Sequence, residues 1–97
     1  MIHIDFYDKS GCVGCKIMKD IIKNIINECS HELTLHSLLN RDGAIPPVED
    51  GIDEPQYPTI IVRDDEGDKD IIYGTCTKHY LNAIINKHIA NDNRTKI

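Results

Sequence analysis

Apolar and polar residues alternate over Ile2-His3-Ile4-Asp5-Phe6-Tyr7, the two-residue period of a β-strand with one buried face. Asp8-Lys9-Ser10-Gly11 breaks that rhythm, and from Met18 a different one takes over. Met18, Ile21, Ile22, Ile25, Ile26 and Cys29 fall on one stripe of an amphipathic helix of about four turns. Residues 32–39 predict a second strand, and strand, helix, strand in that order implies a parallel pair joined by the helix. From Asn40 to Gln56, where Gly43, Pro46, Pro47, Gly51 and Pro55 interrupt every period, the pattern predicts loop with at most a short helical turn. Thr59-Ile60-Ile61-Val62 and Lys69-Asp70-Ile71-Ile72-Tyr73, joined by the acidic run Asp64-Asp65-Glu66-Gly67-Asp68, read as a hairpin. Leu81, Ile84, Ile85, His88 and Ile89 share one face of a last helix, with Thr77 placed to cap its start. The expected fold is α/β, a four-stranded mixed sheet flanked by helices, in a single domain over residues 1–91 with a frayed polar tail at 92–97.

Charge and composition narrow the function classes. Eleven Lys and Arg against sixteen Asp and Glu give a net charge of −5, so neither nucleic acid nor an anionic membrane has electrostatic support as a partner. No apolar run approaches the roughly 18 residues of a membrane span, and the first residues lack the basic and apolar parts of a signal peptide, so a cytoplasmic location is expected.

Four cysteines could in principle form a disulfide framework, a metal site or a redox centre. A framework suits small secreted chains with poor cores, whereas this chain is rich in Ile and Leu. Cys12-Val13-Gly14-Cys15 falls where the first strand hands over to the long helix. Unpaired N–H groups and the positive end of the helix dipole favour a thiolate there. The spacing also lets two sulfurs close a ring, so Cys12 can attack a disulfide and Cys15 can resolve the mixed disulfide. Zinc or an iron–sulfur cluster on the same cysteines is the competing reading, with Cys29, His31 and His36 as further ligands. Cys29 weakens it, because it ends the helical stripe roughly 20 Å along the axis from Cys12.

The combination of strand, Cys-x-x-Cys and helix with the later Tyr57-Pro58-Thr59 resembles the thioredoxin/glutaredoxin superfamily. Asp5-Phe6, Cys15-Lys16, Pro58-Thr59 and Gly74-Thr75-Cys76-Thr77-Lys78 followed by Leu81 are similar to thioredoxin segments, and Lys9 stands where many glutaredoxins carry a glutathione-binding lysine. The resemblance implies a dithiol reductase in which Asp5 is a buried acid assisting Cys15. Pro58 would be a cis-proline facing the disulfide, and Tyr57, Pro58, Lys9 and Gly74 would meet substrate. It further implies a monomer with no tightly bound cofactor and no metal, fed by thioredoxin reductase and NADPH or by glutathione. The implied clients are disulfide-bearing proteins, ribonucleotide reductase among them.

The sequence departs from both branches. Gly11 stands where thioredoxins have tryptophan, Val13-Gly14 is neither Gly-Pro nor Pro-Tyr, and the glutaredoxin Gly-Gly-x-Asp-Asp segment is missing. Cys29 reads as core, and Cys76 as a packed thiol in a loop beside Pro58. The five scattered histidines read as surface or satisfied residues.

Overall fold

A computed structural model describes the backbone of residues 1–95 and the side chains of residues 1–92. Strand β1 (Ile2–Asp8) leads into helix α1 (Val13–Glu28), then β2 (Leu33–Leu39) and a 3-10 turn (Asn40–Asp42). After an irregular stretch come β3 (Thr59–Asp64), β4 (Lys69–Tyr73) and helix α2 (Lys78–Thr95). The strands lie in the order β2-β1-β3-β4, with β1 and β2 parallel and the other pairs antiparallel. The parallel pair requires a crossover, which α1 supplies.

Alternation along β1 sets the two faces of the sheet. Ile2, Ile4 and Phe6 are fully buried and share one core with Met18, Ile22 and Ile25 of α1 and Leu81 and Ile85 of α2. Both helices therefore cover the same face. His3, Asp5 and Tyr7 turn to the other face and stay partly exposed, where His3 Nδ1 and His36 Nε2 lie 3.0 Å apart and Asp5 pairs with Arg63.

Two boundaries differ from the sequence pattern. Helix α2 continues as far as Thr95, past the expected start of the polar tail. Asp92 is buried there because its carboxylate accepts from the Met1 amine at 2.8 and 2.9 Å and faces His31 Nε2 at 2.9 Å. The tail residues 96–97 lie outside the described residues. Strand β3 also runs on to Asp64, the first residue of the acidic run, while residues 65–68 form an exposed turn. Asp64 is buried, accepting backbone N–H groups from Glu66 and Asp68 and meeting His88 of α2 at 2.6 Å.

Candidate active site

Local chemistry explains the turn that carries the cysteines. The chain leaves β1 through a turn closed by the Cys12 N–H donating to the Lys9 carbonyl at 3.4 Å, and Gly11 takes φ +74°, a conformation costly for any residue with a Cβ. Cys12 then becomes the N-cap of α1. Its sulfur accepts the Cys15 N–H at 3.0 Å, the place a serine or aspartate oxygen usually takes. Cys12 and Cys15 are joined by a disulfide. Cys15 is 2% exposed and packs in the core cluster, whereas Cys12 is only partly buried. One sulfur thus faces outward and the other inward.

Opposite this turn runs the segment before β3. The Tyr57-Pro58 peptide is cis, as the resemblance implies. A Cβ built on Gly14 would lie 3.4 Å from Pro58 Cδ and 3.0 Å from Thr75 Cγ2, so the residue between the cysteines packs directly on both loops. The Gly74 N–H donates to the Pro58 carbonyl at 2.7 Å, and the backbone N–H and C=O of Tyr57 have no hydrogen bond among the described residues. The Lys9 ammonium lies 5.6 Å from the centre of the Tyr57 ring, and Asn40 Nδ2 donates to the Tyr57 hydroxyl at 2.9 Å.

No protein-family model matches the sequence, and no curated protein does either. Solved structures do match. Chloroplastic thioredoxin z superposes with a TM-score of 0.71 at 14% identity, over 93% of this chain and 80% of that one. Thioredoxin-2 of the malaria parasite gives 0.68 at 14%, over 91% and 84%. An uncharacterised thioredoxin-like protein from Clostridium perfringens gives 0.68 at 20%, over 91% and 71%. The chain has the thioredoxin fold.

Within the thioredoxin fold, the expected site residues separate into those that meet and those that do not. Cys12, Cys15, Tyr57, Pro58 and Lys9 gather at one end of the sheet. Asp5 does not join them. It occupies the polar face of β1, accepting from Arg63 Nε at 2.9 Å and Nη2 at 3.4 Å, whereas Cys15 belongs to the apolar core cluster that Ile4 and Phe6 enter from the other face. The expectation that Asp5 assists Cys15 is therefore corrected. The alternation of β1 puts Asp5 on the face opposite the buried Ile4 and Phe6. Gly74 is also not a substrate contact through its N–H, because Pro58 already occupies that donor. It holds the cis-proline loop from behind, at φ +84°.

Thr75 is the site neighbour that sequence reading passed over, since nothing in the pattern announces a methyl group resting on Gly14. Cys76 lies beside it but is partly shielded, and burial pushes its thiol above the usual value, which favours the protonated form. Among the described residues no group of three or more His, Cys, Asp or Glu side chains is placed to hold a metal ion. Cys29 lies at the C-terminal end of α1, far from Cys12, and His31 is engaged with Asp92. No helix among the described residues is long and apolar enough to cross a membrane.

Proposed function

We propose that the protein is a thiol–disulfide oxidoreductase that reduces disulfides in other proteins through Cys12 and Cys15. The observation that carries this reading is the asymmetric pair at the start of α1, outer Cys12 and buried Cys15, packed against the Tyr57-Pro58 loop through Gly14. In the dithiol form the Cys12 thiolate attacks one sulfur of the substrate disulfide. A Cys12–substrate bond forms, and the other substrate sulfur leaves as a thiolate. Cys15, deprotonated, then attacks Cys12 Sγ, restoring the Cys12–Cys15 disulfide and expelling the second substrate thiolate. Two electrons pass to the substrate, and its two thiolates take up the protons given up by the two cysteines. The free N–H and C=O of Tyr57 offer a strand-like edge on which the substrate chain can lie during attack.

Helix α1 contributes its N-terminal N–H groups and dipole, which favour the Cys12 thiolate as both attacker and leaving group. Burial of Cys15 keeps it from meeting large substrates directly, so it acts only within the mixed disulfide. A Cys15→Ser protein is expected to trap clients as mixed disulfides on non-reducing gels, and a Cys12→Ser protein is not. The reverse pattern overturns the assignment of roles.

A glutathione-dependent glutaredoxin is the second reading, favoured by the position of Lys9 at the mouth of the site. The two readings differ in electron source. Oxidised protein reduced by NADPH with thioredoxin reductase supports the first, and reduction by glutathione with glutathione reductase supports the second. We place the activity in the cytoplasm and name ribonucleotide reductase as one client to test.

A further inference from the structure

Among the described residues the cations of this acidic chain are either held in ion pairs or unpaired, and apart from Lys23 and Lys69 the unpaired ones gather in one place. Arg63, Lys78 and Lys87 are held by Asp5, Glu28 and Asp70. Lys9, Lys16, Lys19 and Arg41 make no ion pair among the described residues, and all four line two adjoining clefts at the mouth of the cysteine turn. The first, of about 240 Å³, includes Cys12, Cys15 and the three lysines. The second, of about 170 Å³, shares Lys9 and Lys19 with it and continues to Arg41. Among the described residues the one acid lining either cleft is Asp8, whose Oδ1 accepts the Lys9 backbone N–H at 2.8 Å. Asp20 and Asp42, close in sequence, line neither. A cluster of like charges that local acids do not neutralise is electrostatically unfavourable by itself and attracts an opposite charge.

We propose that this basic cleft receives an acidic polypeptide segment next to the target disulfide, so that the protein prefers disulfides flanked by Asp and Glu. The proposal rests on the redox reading above. A polypeptide fits better than a small anion for two reasons. The cations come from three places, the loop after β1, the first turns of α1 and the 3-10 turn after β2, and Tyr57, whose backbone N–H and C=O have no hydrogen bond among the described residues, touches both Lys9 and Asn40 through its side chain. Val13 and Ile17, 72% and 50% exposed one turn apart on α1, add apolar surface for side chains of a bound chain. In a molecule of net charge −5, the cleft offsets a general repulsion that would otherwise slow encounters with acidic clients.

The test uses the full-length protein, reduced beforehand and freed of reductant, mixed with three disulfide peptides that differ only in having Glu, Gln or Lys beside the cystine. At low ionic strength the second-order rate constants are expected in the order Glu, Gln, Lys, with the acidic peptide ahead of the basic one by about tenfold or more. The gap should close in about 0.5 M salt, where screening lengths fall to a few Å. Lys16→Glu with Lys19→Glu and Arg41→Glu should invert the order. Lys69→Glu, the same kind of charge change at an exposed residue of β4, should not. Equal rates for the three peptides, or an equal effect of Lys69→Glu, overturn this proposal alone. Failure of the reduced protein to react with any of the peptides overturns the redox reading and this proposal with it. A charge effect seen with glutathione disulfide and not with the peptides assigns the cleft to a small thiol and also overturns it.

Discussion

Gly14 carries more of the site than its lack of a side chain suggests. It is the second residue of α1, where alanine normally improves a helix by about 0.5–1 kcal/mol. Yet its missing Cβ is what lets the cysteine turn approach Pro58 and Thr75, since a methyl group there would stand 3.0 Å from Thr75 Cγ2. Gly14→Ala should therefore keep or raise thermal stability while slowing disulfide reduction by up to about tenfold, because displacements well under 1 Å matter at a reacting centre. Adding Thr75→Ser removes the opposing methyl and should restore most of the rate. A Gly14→Ala protein with unchanged kinetics would show that close approach is not what aligns the two loops.

Helix α2 is tied to the hairpin by a polar lock as well as by its apolar stripe. His88 is fully buried, with Nδ1 2.6 Å from Asp64 of β3 and Nε2 2.8 Å from Asp70 of β4. Lys87 adds its ammonium to Asp70 at 2.6 Å, and Asn91 reaches Asp64 and Asp68. Among its described residues α2 has two fully buried aliphatic side chains, Leu81 and Ile85, so the polar lock adds to its hold on the sheet. His88→Ala leaves the Asp64 carboxylate buried without its main partner and should cost about 3–5 kcal/mol, read as a shift in the urea midpoint. A loss below about 1 kcal/mol would mean that water replaces the imidazole without strain.

The same lock gives the whole molecule a pH dependence of definite sign. Burial opposes ionisation of Asp64, but hydrogen bonds from His88, Asn91 and the Glu66 N–H outweigh it and hold its carboxyl below the usual value. Asp70 is lowered by Lys87 first and by His88 as well. The folded carboxylates thus bind protons less tightly than the unfolded ones, so acid favours the unfolded chain. Their contribution is complete above the unfolded carboxylate range and is lost as pH falls through it toward the lower folded values. Stability should stay level with respect to these two groups down to about pH 5 and decline below it. Urea melts from pH 7 to pH 3 would check this, and a midpoint that rises on acidification would contradict it. The redox end of the molecule lies outside this lock, so the cysteine chemistry and the acid sensitivity should respond to different substitutions.

What the sequence determined by itself is local. Period-two and helical apolar spacing placed β1, α1, the hairpin and α2, and the Cys-x-x-Cys at a strand-to-helix handover marked the reactive turn, because these signals need only a few neighbouring residues. The resemblance added Pro58 and Tyr57, which spacing could not place beside Cys12. Tertiary structure decided the rest. The β2-β1-β3-β4 order sets Arg63 opposite His3 and within reach of Asp5, which assigns that acid to an ion pair on the face away from Cys15. It sets β3 and β4 under α2, so that Asp64, read from the sequence as part of the turn, and Asp70 of β4 become partners of His88. It brings Arg41 to the clefts that Lys9, Lys16 and Lys19 line beside Cys12. Each of these is a contact between residues distant in the chain, and its energy depends on which face and which strand the sheet register assigns, information that no short stretch of residues contains.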